Sequence, residues 1–207
     1  IQVNNNMFLN NIIAEVMIIG RIDGNKLDAS GNWWGTTDPT VVATLVNPAK
    51  VDFTPMLNSG ADGDPTTPGW QPDLSSVTVH TLGQQVGSVG RVQEGINFVT
   101  ASTVNVLAGT YNERMTVNKP ADLLGAQQGI DPTIPGVRTD PTDDSVESII
   151  TEQGLSTPNP DVLVEIPVSG VGATIDGFVL NGDRTNNTAD TCVIRVWANN
   201  VTISKNI

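Results

Sequence analysis

Asp176, Asp183, Arg184 and Asp190 are the residues best placed in sequence to do chemistry. Grouped carboxylates can hold Ca²⁺, and a nearby arginine can exchange a proton with a substrate. Asp183-Arg184 lies in a Gly/Asn-rich stretch without a second spaced carboxylate pair, so a solvated loop is the expected state. Asp62 and Asp64 flank Gly63, and two carboxylates around a glycine can curl about a hard cation. The remaining ligands of a calcium loop are missing, which makes Ca²⁺ the one cofactor to consider and an acidic turn the default. Asp143-Asp144 falls under the same default.

His80 is the single histidine and sits in Val77-Thr78-Val79-His80, an alternating strand pattern with no neighbouring triad or metal set. Cys192 alternates in phase with Ile194 and Val196 and reads as a small buried hydrophobe rather than a nucleophile. Trp33 and Trp34 could stack on a sugar, but packing in the core is the expectation. No catalytic set is legible, and the chain reads as non-enzymatic.

Charge and length bound the function classes. The 207 residues carry 22 Asp plus Glu against 10 Lys plus Arg, a net charge of -12. That balance repels phosphate backbones and anionic lipid, and no run approaches the roughly twenty apolar residues of a membrane span, so neither nucleic acid nor membrane insertion is an expected partnership. One cysteine cannot make an internal disulfide, so stability must come from packing. The Thr/Asn/Gly-rich, Lys-poor composition points to an extracellular or cell-surface location. Sequons at Asn186-Asn187-Thr188 and Asn200-Val201-Thr202 are compatible with it. The chain opens on Ile1 without a leader-like stretch and is expected to be a mature product, an excised piece or a repeat unit.

The elements that must position these residues are mostly short β-type runs punctuated by Gly, Asn and Asp. Two stretches have helical spacing. Asp38-Pro39 starts a helix over 39–47 with Val42, Leu45 and Val46 on one face. Ser88 precedes a second helix over 89–99 with Val89, Val92, Ile96 and Val99 in a stripe. Between them 58–77 is rich in Gly and Pro and reads as a linker, dividing the chain into 1–57 and 78–207.

Internal similarity is the strongest signal. Val162 to Ile166 followed by Ala173 to Leu180 recurs as Cys192 to Val196 followed by Val201 to Ile207, and again as Val16 to Ile19 followed by Leu27 to Trp34. Alternation places Val164, Ile166, Ile194 and Val196 inward, with Glu165 and Arg195 outward and adjacent. Strands this short cannot bury a face alone, so units must stack.

Stacked short strands with Asn206 and Asn32 at matching turns resemble a right-handed parallel β-helix of the pectin-lyase-like class. Asp28-Ala29-Ser30-Gly31-Asn32-Trp33-Trp34-Gly35, with Val51 to Leu57, resembles the closing segment of bacterial surface β-helix repeat proteins. Val92 to Ile96, Thr103 to Glu113 and Val117 to Gly125 resemble how such a solenoid opens. The resemblance implies an all-β solenoid whose two helices cap stack ends, with Val42, Leu45, Val46, Val92 and Ile96 as capping residues. Residues 1–57 would be the end of one solenoid and 78–207 the open beginning of another. Some proteins of this class cleave or de-esterify acidic polysaccharides, but no matching acid, amide and arginine set follows Gly109 to Glu113.

The function expected is a structural module of a surface adhesin or fibre, stacking head-to-tail on copies of itself. Surface glycans are a further candidate partner. Ile1, Val3, Met7 and Phe8 on one side, and Val201, Ile203, Asn206 and Ile207 on the other, would form the joint, with Ile1 supplying the apolar position held by Leu180. A cut through one long chain would give the same stacking covalently. The alternative is a fragment of a polysaccharide-binding or polysaccharide-degrading, lyase-like β-helix.

Overall fold

The computed structural model describes residues 2–8, 26–153, 155, 162–182 and 192–207. Strand β1 (Leu27–Asp28), helix α1 (Pro39–Leu45), β2 (Val51–Asp52) and β3 (Met56–Leu57) make up the first part. The second comprises β4 (Ser76–Val79), helix α2 (Arg91–Phe98), β5 (Thr103–Val106), β6 (Gly109–Asn112), β7 (Met115–Thr116), β8 (Asp122–Leu124) and β9 (Ser148–Thr151). It ends with β10 (Val162–Ile166), β11 (Thr174–Asp176), β12 (Phe178–Asn181), β13 (Cys192–Val196) and β14 (Thr202–Ser204). The protein is therefore mostly β, with two short α-helices among the described residues.

Its strands line up as a six-stranded sheet β14-β11-β8-β5-β4-β3, two three-stranded sheets β13-β10-β7 and β12-β9-β6, and the pair β1-β2. Every pairing is parallel except β3 with β4. From β5 onward the chain visits the three larger sheets in turn, so those strands pair with one from an earlier or later pass, whereas β1 with β2, β3 with β4 and β4 with β5 pair as sequence neighbours. Strands of two to five residues hold their place only because such neighbours complete their backbone bonding.

Helix α1 starts as its sequence dictates: the Asp38 carboxylate accepts from Thr40 N at 2.8 Å, and Pro39 opens the first turn. It ends at Leu45, two residues short of expectation. Val42 is fully buried, whereas Leu45 and Val46 are half-buried. Helix α2 is also shorter than its stripe. Val89 lies before it and is 44% exposed, while Val92, Ile96 and Val99 are buried. Its N-cap is Gly90, not Ser88. Helix N-termini leave backbone donors unpaired; here the Glu113 carboxylate fills that role, accepting from Val92 N and Gln93 N, each at 2.9 Å. A Cβ on Gly90 would lie 2.2 Å from the same carboxylate, so only glycine leaves it room.

Residues 58–77 are more than a linker. Met56 and Leu57 pair antiparallel with Thr78 and Val77, so the Gly/Pro-rich stretch is a loop whose two ends are bonded together. Asn58 Nδ2 donates to Ser76 Oγ at 2.7 Å, and Trp70 Nε1 donates to the carbonyl of Gly60 at 3.0 Å. β4, which begins at the end of this stretch, is a wall with two wet-free faces. Directly opposed residues of an antiparallel pair share a face. Leu57 and Val77 belong to the large core that runs through the second part; Met56, opposite Thr78, belongs to a separate core with Phe53, Val51, Val42 and Trp34. Thr78 and His80 are correspondingly buried against the first part, with the His80 ring 4.7 Å from that of Phe53. Across this seam Phe98 lies over Gly31, where a Cβ would come within 1.9 Å of the ring.

The segment between β8 and β9 returns a guanidinium to the stack. Arg138 donates to Glu147 from Nε at 2.9 Å and from Nη2 at 2.5 Å, and from Nη1 to the carbonyl of Lys205 at 2.6 Å. The pair is almost fully buried, with side chains 1% and 2% exposed.

Candidate functional site

Two strand segments at the far ends of the molecule carry the same local geometry. Residues 2–8 lie along 27–33, with parallel bridges from Gln2 to Asp28 and from Met7 to Trp33. Trp33 N donates to Asn6 O at 2.9 Å and Phe8 N to Trp33 O at 2.8 Å. At the other end Ile207 N donates to Phe178 O at 2.9 Å and Leu180 N to Ile207 O at 2.9 Å. Ile207 thus stands to β12 as Trp33 stands to residues 6–8, and Phe8 holds the position that Leu180 holds.

Side-chain amides repeat the match. Asn32 Oδ1 accepts from Asn6 N at 2.8 Å, and its Nδ2 donates to the carbonyls of Val3 and Ala29. Asn206 Oδ1 accepts from Phe178 N at 2.9 Å, and its Nδ2 donates to Ile175 O at 3.0 Å. Before each turn asparagine stands a left-handed residue: Asn5 at φ 60°, Gly31 at 66° and Lys205 at 54°, with Gly177 at 82° in the equivalent place before Phe178. Glycine or asparagine takes that conformation with least strain, and Lys205 is the exception. Its carbonyl is the one that Arg138 holds.

Both segments have one edge paired and the other free of partners among the described residues. On the β14 side apolar groups stand open: Ile203 is 43% exposed, Ile207 42%, Val196 40% and Trp197 61%. Ile194 and Cys192, expected inside, are only half-buried, because β13 has β10 on one side and no described strand on the other. On the opposite side Val3 and Phe8 pack partly on the smaller core, and the Phe8 ring lies 4.9 Å from that of Trp34. Of the other joint and capping residues, Val92 and Ile96 are fully buried in the larger core, Met7 and Val201 are half-buried, and Ile1 lies outside the described residues.

The residues singled out for chemistry are spread apart. Asp183, Arg184 and Asp190, the sequon at Asn186 and the strand pattern at 16–19 also lie outside the described residues. Asp176 Oδ2 accepts from Gly129 N at 3.2 Å. Asp62 Oδ1 takes the amides of Asp64 and Gln71, each at 3.1 Å, and Asp64 takes the hydroxyls of Thr66 and Thr67, each at 2.6 Å. Those hydroxyl and amide bonds hold the Asp64 carboxyl below its usual pKa. Both carboxylates are spent on the turn itself. Among the described residues no three His, Cys, Asp or Glu side chains converge as a metal set. His80 is buried, and burial first, then the nearby Arg91 charge, push its pKa down to about 3, which keeps it neutral.

One grouping was not singled out from sequence: Asp28, Asp52 and Glu94, brought together at the seam by β1, β2 and α2. Burial pushes Asp52 up to about 6 despite hydrogen bonds from Val86 and Thr54. Burial likewise takes Glu94 to about 7, with Asp52 and Asp28 adding repulsion. Burial opposes ionisation of Asp28 as well, yet bonds from Ser30, Gln2 and Asn4 bring it below its usual value. Asp28 and Asp52 are register partners on adjacent strands, visible only once β1 is known to lie on β2.

Compared with known proteins, the chain matches no family model, no curated protein and no solved structure.

Proposed function

We propose that the protein is a non-enzymatic structural module of the extracellular surface, a right-handed parallel β-helix of the pectin-lyase-like kind that stacks head-to-tail on copies of itself as part of an adhesin or fibre. Residues 78–207 of one copy and 1–57 of the next would complete one solenoid, closed by α2 at one end and α1 at the other. The observation that carries this reading is that 2–8 lie on 27–33 as 174–180 lie on 202–207, with the same backbone bonding, left-handed residues and turn asparagine at both ends of the stack. Two unlike edges that fit one another, at opposite ends of a unit, form a heterologous interface, and one that does not close on itself generates a filament. Parallel pairing within three sheets, each strand about one chain pass from its partner, supports the solenoid. The acidic charge suits a soluble rod.

Negative-stain microscopy of purified protein tests it. Rods or fibres lengthening with concentration are expected, and compact particles at all concentrations would overturn the reading.

A second reading, a polysaccharide-binding or polysaccharide-degrading β-helix, has one observation in its favour. A groove of about 370 Å³ runs over β6, β9 and β12, lined by Thr110, Thr151, Asn181 and Gln153 beside Ile149 and Val179. It offers hydroxyls and amides to a glycan but no aromatic platform. Depolymerisation of a pectin-like polymer by compact monomers would favour it.

A further inference from the structure

We infer that residues 2–8 are a stand-in strand, occupying in each separate molecule the seat that residues 202–207 of a second copy take on assembly. The inference rests on the head-to-tail reading and specifies its joint. The seat is the edge of 27–33, where the Asn32 amide clasps Val3 O and Asn6 N, and Asp28 O and Gly31 O receive Val3 N and Asn5 N at 2.8 and 3.1 Å.

Aligned on their left-handed residues, Gln2-Val3-Asn4-Asn5-Asn6-Met7 matches Thr202-Ile203-Ser204-Lys205-Asn206-Ile207 position for position. Val3 corresponds to Ile203, Asn6 to Asn206 and Met7 to Ile207. Asn6 Nδ2 donates to Asn32 Oδ1 at 3.1 Å, and Asn206 carries the same amide at the same place. Phe178, which sits beneath Asn206 in the corresponding position of its own stack, does not. The 202–207 segment therefore carries what the seat reads, and its backbone already has the required turn.

Exchange is favourable because the incoming strand does not come alone. Residues 2–8 bring Val3 and Phe8, partly buried on the smaller core. A second copy brings Ile203 and Ile207 with Val196 and Trp197 behind them, all now exposed, and joins its larger core to the smaller one. The backbone bonds lost and gained are the same in kind, so the difference is apolar area removed from water.

Cross-linking between outward positions tests the exchange. In a Cys192→Ser background, one variant carries Asp28→Cys with Thr202→Cys and a second carries Gln2→Cys with Thr202→Cys; each is treated with a short bifunctional thiol reagent. A covalent ladder from the first and none from the second is expected. A ladder from the second overturns the exchange, since 202–207 would then stack on a retained 2–8, and leaves head-to-tail stacking intact. No ladder from either overturns both. Hydrogen exchange on the unsubstituted protein gives an independent readout. Protection of the Val3, Asn5 and Phe8 amides should fall as concentration rises, and undiminished protection in assembled material overturns the exchange.

Discussion

Arg195 donates from Nη2 to Glu165 Oε1 at 2.9 Å, and the two residues are direct register partners on the parallel strands β13 and β10. Both side chains stand partly in solvent, so the pair contributes about 0.2 to 1 kcal/mol. Arg195→Ala should change the unfolding midpoint in urea barely at all. Val164, one residue from Glu165 and fully buried, points the other way. Val164→Asp places an unpaired carboxylate in the core and should abolish folding, seen as loss of the cooperative transition. Ile194, half-buried, should tolerate the same change better than Val164. Equal mild effects at 164 and 195 would show the facing to be wrong.

The Glu113 carboxylate takes two of the amide donors left open in the first turn of α2. Glu113→Ala removes two charge-assisted bonds at once and should cost about 1.5 to 3 kcal/mol in chemical denaturation. Glu113→Gln should recover part of it, since an amide oxygen can still take one of the two donors. Gly90→Ala should destabilise the protein too, through its clash with the same carboxylate.

Stability should decline as pH rises through the neutral range. Asp52 and Glu94 titrate from 3.8 and 4.5 in an unfolded chain to about 6 and about 7 when folded. Between those limits the folded state binds more protons than the unfolded one, so their stabilising contribution is complete below about pH 4 and fades upward through pH 7. Asp28, Asp38, Asp64, Asp73, Asp131 and Asp140 are lowered and act in the opposite sense, losing their contribution as pH falls below 3.8. Melting temperature should therefore be higher at pH 5 than at pH 8. Glu94→Gln should raise the pH 8 value by about 2 to 4 °C for each kcal/mol relieved and narrow the gap. A parent protein with one melting temperature at both pH values would contradict this.

Arg138 and Glu147 should be costly to separate. Arg138→Ala leaves a buried carboxylate uncompensated, and about 3 to 5 kcal/mol should be lost by chemical denaturation. Arg138→Met combined with Glu147→Leu should recover most of that. Hydrogen exchange near Lys205 should stay elevated in the double variant, because the guanidinium that held the Lys205 carbonyl is gone.

What was legible in sequence was whatever repeats or alternates. The match of 162–166 with 192–196 yields the observed register, including Glu165 with Arg195, and the Asn32/Asn206 correspondence marks real turns. Asp38-Pro39 fixed the start of α1 because that cap is local. Contacts made across the fold were not legible. Glu113 caps a helix 21 residues away from it, and Arg138 meets Lys205 from a segment without periodicity. The carboxylates at the seam belong to three elements that touch only after folding. Val89 was misplaced in the helical stripe because spacing alone does not reveal that the first turn begins after Gly90. The equivalence of 2–7 with 202–207 was not legible either, because it depends on left-handed residues that only the backbone reveals.

β4 with the His80 that follows it is a wall common to two cores, with Val77 and Val79 facing one and Thr78 and His80 the other. Melting either part would strip one side of that wall to water, so neither has an unfolding free energy of its own to express. The two parts should therefore unfold as a single cooperative unit despite their separate cores, and calorimetry should return one transition whose van't Hoff and calorimetric enthalpies agree.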